Sequence, residues 1–313
     1  MTIQDFIREG RKAALRHFED SGIQDVEISE TEVVKANDCR LYGVSVRFDD
    51  MMAGANVYMD DLFEEYQKGT DFDELIEEFV SRCEYALDVP PPLLAQSEDM
   101  EFEDVKNRLT LKLLDVRNNL SYMNGKPYID VGNGLALIAV INCERSITSE
   151  WAISVTNDLL DIMDVDKETL LTEAMKNTQE LEPAELVSLT EFFMRTVQMG
   201  ERSTNLLEEE MTDEIRAGGG AFCLSNRSKC QGAAALFYPG VMDRISEVIS
   251  SGYYVIPSSI HELIIVPDNS RVKAEDLAYL LDEGNRSVVE REDILSYNIF
   301  HYDKDKSQLR IAC

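Results

Sequence analysis

The sequence predicts an α+β fold with mainly antiparallel sheets and flanking helices, arranged as two modules. Segments with helix-spaced apolar residues and short β-leaning runs alternate irregularly along the 313 residues. Short turns rich in Asn, Asp and Gly join neighbouring β-leaning runs, as is typical of antiparallel pairs. A stretch rich in proline and acidic residues separates the two modules. This irregular order favours α+β over a doubly wound parallel sheet.

The first predicted module covers residues 1–88. A helical apolar pattern in residues 2–20 predicts an opening helix. Three β-leaning runs follow and predict a strand meander: residues 26–34, 39–48 and 53–58. Two further helices are expected over residues 60–66 and 71–85. Asp71 precedes the second of them, where a carboxylate can cap the first free N–H groups.

Residues 89–104 form the predicted linker, because Pro90, Pro91 and Pro92 interrupt the helical pattern and many acids follow. The second predicted domain covers residues 105–313, with a possible subdivision near the glycines at 217–220. Its predicted strands are residues 127–131, 135–142, 152–156, 221–225, 253–256, 263–266, 295–302 and 308–312. Its predicted helices include residues 157–163, 167–176, 182–199 and 274–281, and residues 105–120 have a mixed pattern.

The net charge of the chain limits the kinds of partner that it is expected to bind. Lys and Arg number 30 and Asp and Glu number 60, which gives a formal net charge of −30. Such a charge repels phosphate backbones and anionic lipid surfaces at long range, and no basic run offsets it. We therefore expect neither nucleic acid nor a membrane as partner. A basic protein would suit the charge, although solubility alone also explains it.

The cysteines and the N-terminal segment predict a cytoplasmic protein. The six cysteines are scattered without a CxxC pair, which favours reduced thiols packed as small hydrophobes. Cys223 and Cys230 flank a predicted turn and could face each other across a hairpin. Residues 1–20 lack the apolar run of a secretory signal. No stretch approaches the roughly 18 apolar residues that span a bilayer.

The strongest candidate for chemistry is the stretch from Ser258 to Glu262, between two apolar runs. Ser258 or Ser259 could act as a nucleophile, His261 as a base and Glu262 as the acid. If a strand begins at Ile260, however, His261 and Glu262 point to opposite faces, which weakens a triad built from neighbours. The competing interpretation, which we favour, is a serine turn that His261 anchors by hydrogen bonds.

Metal and nucleotide signatures are incomplete. A cation site that combines His261, His301 and nearby acids is the weakest option, since a calcium loop near His301 lacks its central Gly and terminal Glu. Phosphate-loop, dinucleotide and nucleophile-elbow motifs are all missing required residues. We predict no cofactor and no metal.

Several segments resemble one known family. These are residues 232–240, the stretch 254–267 with its central PSSIHE, residues 58–69 and residues 174–178. They are similar to the bacterial domain of unknown function numbered 5688, and the resemblance spans most of the chain. It implies a bacterial cytoplasmic protein but no activity and no catalytic residues.

Two functions therefore remain open. The first is a non-enzymatic binding or regulatory protein with an acidic surface, which the absence of a complete catalytic set favours. The alternative is a hydrolase or transferase that uses His261 with Ser258 or Ser259. An open site at His261 and a hydroxyl within about 3 Å of its ring would favour the enzyme.

Overall fold

The computed structural model describes residues 1–51, 54–89, 100–142, 152–197, 204–209, 220–268 and 272–313. The chain forms two compact units, residues 1–100 and residues 101–313. All paired strands in the described parts are antiparallel and helices flank the sheets, which confirms the predicted α+β class. The predicted linker and the predicted subdivision near 217–220 fall mostly outside the described residues.

Unit 1 is a three-stranded meander with three helices. Its elements are α1 (Ile3–Asp20), β1 (Val26–Val34), β2 (Arg40–Phe48), β3 (Ala55–Tyr58), α2 (Asp60–Lys68) and α3 (Phe72–Asp88). The strands lie in the order β1-β2-β3. The helices pack on this sheet around buried Phe6, Val44, Phe79 and Cys83. Asp71 accepts hydrogen bonds from the amides of Asp73 and Glu74, so the predicted N-cap is confirmed.

The first part of unit 2 contains a four-stranded sheet. Its elements are α4 (Phe102–Val105), β4 (Leu109–Asp115), β5 (Tyr128–Gly132), β6 (Leu135–Asn142), β7 (Ala152–Ser154), α5 (Asn157–Ile162) and α6 (Lys167–Leu181). The order is β4-β6-β5, and β7 also pairs with β6. Asn133 and Gly134 adopt positive φ angles of 58° and 79° in the predicted β5–β6 turn. The N-cap of α6 is Asp166, whose side chain accepts from the amide of Thr169.

The rest of unit 2 contains a six-stranded sheet in the order β13-β12-β10-β11-β9-β8. Its elements are β8 (Ala184–Ser188), α7 (Leu189–Val197), β9 (Phe222–Asn226), α8 (Val241–Ile249), β10 (Tyr253–Ile256), β11 (Leu263–Pro267), α9 (Ala274–Ser287), β12 (Phe300–Asp303) and β13 (Gln308–Ile311). Two short 3₁₀ helices occur between these elements: Gly232–Phe237 follows β9, and Arg291–Asp293 follows α9.

Three local predictions were wrong or incomplete. The helix predicted over residues 182–199 is a strand followed by a helix, because residues 184–188 pair with β9. Within the mixed segment at residues 105–120, Leu109–Asp115 is a strand whose residues are almost all buried. The hairpin predicted at the C-terminal end exists, but its first strand starts at Phe300.

Buried polar residues concentrate in unit 2. Asp115 is 1% exposed, and its carboxylate accepts hydrogen bonds from Arg117 Nη2 at 2.8 Å and from Ser296 Oγ at 2.7 Å. Ser296 O in turn accepts a hydrogen bond from Asn285 Nδ2. The end of β4 is therefore tied to a segment that lies 181 residues later in the sequence.

Within the described ranges, no helix combines the length and the apolarity that a bilayer span requires.

Candidate functional site

The segment from Pro257 to Glu262 is the loop of the β10–β11 hairpin. Ile256 pairs with Ile264, and β11 begins only at Leu263. The alternation expected from a strand that starts at Ile260 therefore does not apply to His261 and Glu262. In the loop, Ser259 N donates to Glu262 O at 3.1 Å, which closes a tight turn around the candidate residues.

The two serines contact other groups than the imidazole. Ser258 Oγ donates to Glu262 Oε1 at 3.2 Å. Ser259 Oγ accepts from the backbone amide of His261 at 3.0 Å. Among the hydrogen bonds of the described residues, none joins either hydroxyl to the His261 ring. The structure thus brings the four predicted residues together in one turn without aligning a serine with the base.

Both ring nitrogens of His261 have partners. Nδ1 accepts a hydrogen bond from the amide of Gln231 at 3.1 Å. Nε2 lies 3.4 Å from Asp293 Oδ1. The Cys230 side chain is a neighbour of the ring that, after Asp293, contributes to its charge state. The His261 side chain keeps 27% of its surface exposed and that of Asp293 keeps 31%, so solvent reaches both.

The charge state of this cluster follows from its contacts. The contact with Asp293 and, second, the neighbouring Cys230 side chain raise the pKa of His261 to about 9, and burial opposes this shift. The same contact with His261 lowers the pKa of Asp293. The Gln231 amide acts against protonation of the ring, because it donates to Nδ1 and needs a lone pair there. We regard the effect of Asp293 as the larger one, since it is a charge.

The backbone around His261 is equally constrained. Its carbonyl accepts from Ser225 Oγ at 2.8 Å. Gly232 lies directly against the same carbonyl, so that a Cβ on Gly232 would come within 2.5 Å of His261 O and 2.6 Å of Asn226 N. Ile260 N donates to Asp293 O at 2.9 Å. The hairpin loop, the end of β9 and the 3₁₀ helix Arg291–Asp293 therefore converge on one point.

Sequence reasoning found His261 but missed its partners. Cys230 and Asp293 lie 31 and 32 positions away in the sequence, and only the sheet order brings β9 beside β11. The one available signal was the loop of residues 226–231, which carries a cysteine between polar residues and ends at a glycine.

His301, the other histidine of the predicted cation option, lies elsewhere in unit 2. Its Nε2 is 2.7 Å from Asp268 Oδ2, and its buried Nδ1 has no hydrogen-bond partner among the described residues. In the described part of the chain, no three His, Cys, Asp or Glu side chains are grouped as metal ligands.

A second candidate site is a groove of about 810 Å³ between α6 and the start of β5. Leu171 and Met175 supply apolar surface from the helix, and Tyr128 and Ile129 do so from the strand. Lys167 Nζ lies 4.9 Å from the centre of the Tyr128 ring. The remaining lining residues are Glu168, Thr172, Lys176, Gln179 and Glu180.

The fold and these two sites define an α+β protein with a surface groove and a histidine–aspartate pair in a hairpin loop, both in unit 2. The chain belongs to the family of unknown function DUF5688, whose family model matches residues 3–304. No curated protein and no solved structure matches the chain.

Proposed function

We propose that this is a binding protein whose groove between β5 and α6 holds an extended segment of a basic protein partner. The observation that carries the proposal is the volume and lining of the groove, which combines an apolar base with charged rims. The proposal places the protein in the cytoplasm, where its free thiols stay reduced.

The β5 wall of the groove suits an extended segment. In the described part of the chain β5 pairs only with β6, through residues 135–138. Its other edge therefore presents backbone N–H and C=O groups that a partner strand can use. Tyr128 at the start of this edge is 41% exposed and supplies an aromatic contact.

The apolar base of the groove sets the central residues of the partner. Leu171 is buried and Met175 is half-buried, one helical turn apart on α6. Met adapts its shape to varied side chains. We expect one or two aliphatic side chains of the partner to pack here.

The charged residues at the rims of the groove determine which charges the partner should carry. Lys167 lies over the Tyr128 ring, and Lys176 is 3.7 Å from Glu173. Glu168 and Glu180, in contrast, are exposed and form no ion pair with any described residue. They are separated by about 18 Å along the helix, at 1.5 Å per residue. An extended chain covers that distance in about five residues, so the partner carries two basic residues at that spacing.

A direct test uses a fluorescent eight-residue peptide with alternating valines between two lysines five positions apart. Fluorescence anisotropy should show binding that weakens as salt rises. Glu168→Lys and Glu180→Lys should each weaken it up to about fivefold, the range of an exposed ion pair. Glu283→Lys, the same charge change on the exposed face of α9, is the matched control and should leave affinity unchanged.

Two results would count against the groove. One is equal affinity for a peptide whose lysines are replaced by glutamates. The other is an equal effect of all three Glu→Lys variants, which would show that only the net charge of −30 attracts the peptide.

The alternative based on Ser258 or Ser259 remains a prediction with less geometric support. It requires a hydroxyl at the His261 ring, and these two hydroxyls contact Glu262 and a backbone amide instead.

A further inference from the structure

Two lysine side chains meet at one tyrosine ring in unit 2. The Nζ atoms of Lys126 and Lys112 lie 4.1 Å and 5.7 Å from the centre of the Tyr122 ring. The hydroxyl groups of Tyr122 and Ser154 share a hydrogen bond of 2.7 Å. We propose that Lys112, Lys126 and Ser154 bind a small phosphate dianion, either inorganic phosphate or the terminal group of a phosphomonoester. The site shares no residue with the groove and is independent of the binding function.

The four-stranded sheet places Lys112 and Ser154 on one face. Lys112 of β4 pairs with Ile138 of β6, and Ser154 of β7 pairs with Val140 of β6. Paired residues of antiparallel strands project to the same face, and so do residues two positions apart in one strand. The ammonium group and the hydroxyl group therefore lie on the same side of β6, on the two strands that flank it.

The turn before β5 brings Lys126 to the same ring and holds it there. Lys126 N donates to Met123 O at 3.0 Å, and Gly125 O accepts from Asn157 N at 2.7 Å. At the other end of the side chain, Lys126 Nζ donates to Tyr122 O and lies over the ring of that residue. The ammonium group is therefore positioned in advance, so a ligand loses less binding energy in ordering it.

The two ammonium groups have no carboxylate partner in the described part of the chain. Neither Lys112 nor Lys126 forms an ion pair there, although the chain has 60 acidic residues against 30 basic ones. Burial, and then the charge of Lys112, lowers the pKa of Lys126. Lys112 also helps to lower the pKa of Asp293, whose carboxylate already contacts His261. An anion between the two lysines would offset their mutual repulsion.

The donors at this site suit a phosphate dianion. Each ammonium group offers three N–H donors, and a phosphate has oxygen acceptors in several directions. Ser154 Oγ can accept from the Tyr122 hydroxyl, which leaves the serine hydrogen for a phosphate oxygen. A carboxylate has a single charge and would balance only one of the two lysines. We therefore expect the site to prefer a dianion.

The net charge of −30 restricts the ligand to a small one. Repulsion between exposed charges is screened beyond about 8–10 Å at physiological ionic strength. A single phosphate group is governed by the two lysines that it contacts. A polyanion extends past them to the acidic surface and is repelled there.

The first test is isothermal titration calorimetry of the full chain at fixed ionic strength. Inorganic phosphate and glycerol 3-phosphate are the probes, and we expect saturable binding of at least one with a Kd near about 1 mM. Acetate should bind at least about tenfold more weakly. Tighter binding of glycerol 3-phosphate assigns the site to an ester, and equal binding assigns it to free phosphate. No saturable binding of either, or equal binding of acetate, overturns the proposal.

Substitutions locate the binding. Lys126→Met and Lys112→Met keep an unbranched side chain, and each should weaken phosphate binding about tenfold. Lys35→Met is the matched control, because the Lys35 ammonium lies 5.5 Å from the centre of the Tyr58 ring in unit 1. It should change the affinity less than about twofold. An equal loss in all three variants would show that only net charge matters and would overturn the site. Circular dichroism checks that each variant is folded.

A second test needs no substitution. Pulse acetylation of the unaltered chain with a water-soluble N-hydroxysuccinimide ester, resolved by peptide mass spectrometry, reports how accessible each lysine is. Phosphate near saturation should slow the acetylation of Lys112 and Lys126 at least about threefold, relative to NaCl of the same ionic strength. The rate at Lys35 should not change. Unchanged rates at Lys112 and Lys126, or equal slowing at Lys35, place the phosphate elsewhere and overturn the proposal.

Discussion

Residues 1–100 and residues 101–313 carry the same net charge, −15 each, although the second unit has more than twice as many residues. The two units differ in where their polar groups lie. In the described part of the chain, all polar and charged residues that are buried belong to unit 2. Unit 1 keeps its charges at the surface over an apolar core. The buried polar contacts of the described residues therefore lie in unit 2, and both candidate sites lie in the same unit.

The largest expected effect that tests this contrast comes from Asp115. Asp115→Ala would leave the guanidinium of Arg117 and the buried hydroxyl of Ser296 without their acceptor. The Arg117 side chain is half exposed, so the cost comes from the lost hydrogen bonds to the buried carboxylate and should reach about 2–4 kcal/mol. Asp61→Ala in unit 1 removes an exposed ion pair with Arg82 and should cost at most about 1 kcal/mol. Urea unfolding measures the free energy of unfolding of both variants. An equal loss in the two would contradict the difference proposed between the units.

The next effect concerns Gly232. An alanine there would collide with Ser225 Oγ, His261 O and Asn226 N, none of which is the flexible end of a long side chain. We expect Gly232→Ala to lower the free energy of unfolding by about 2–3 kcal/mol, as overpacking does. Gly284 in α9 has open space around it, so Gly284→Ala should raise the free energy of unfolding by about 1 kcal/mol at most. Thermal unfolding compares the two; a stable Gly232→Ala would contradict the close packing of the site.

A smaller effect depends on pH. The pKa of His261 is raised from 6.5 to about 9, so its interaction with Asp293 stabilises the fold fully below pH 6.5. This contribution, about 1–3 kcal/mol, is lost as pH rises toward 9. Asp293→Asn should weaken the dependence and lower the pKa of His261, as measured by NMR titration. An unchanged pKa in that variant would show that Asp293 does not control the ring.

The smallest expected effect concerns salt. Unit 1 holds its charge of −15 in half the residues, so its self-repulsion is stronger. Raising NaCl from about 0.02 M to about 0.5 M shortens the screening length severalfold. Hydrogen exchange should therefore slow more in α3 than in β6, by the equivalent of roughly 1 kcal/mol. Equal slowing in both elements would show that charge density does not distinguish the units.

The sequence predicts unit 1 better than unit 2 because its signals are local. The meander of unit 1 follows from three β-leaning runs separated by turns rich in Asn and Asp, and Asp71 caps α3 by contacts with residues two and three positions away. In unit 2, predictions failed where pairing with a distant strand overrode the local sequence pattern. Residues 184–188 have a helical pattern, yet they form a strand because the edge of β9 is available.

The candidate site shows the same limit. The PSSIHE stretch identified His261 and a turn, but periodicity suggested a strand where the hairpin loop lies. The two partners of the His261 ring, Gln231 and Asp293, lie 30 and 32 positions away in the sequence. Neither contact has a local signature, because it depends on β9 and β11 being neighbours in the sheet.

Each unit contains a buried cysteine whose reactivity can report the opening of that unit. Cys83 in α3 is 0% exposed and Cys223 in β9 is 1% exposed, and burial raises the pKa of each thiol to about 12. Neither can react with a thiol reagent until its own unit opens. Pulse labelling followed by mass spectrometry of the two peptides would thus time the opening of unit 1 and unit 2 separately, in one sample of the unaltered protein.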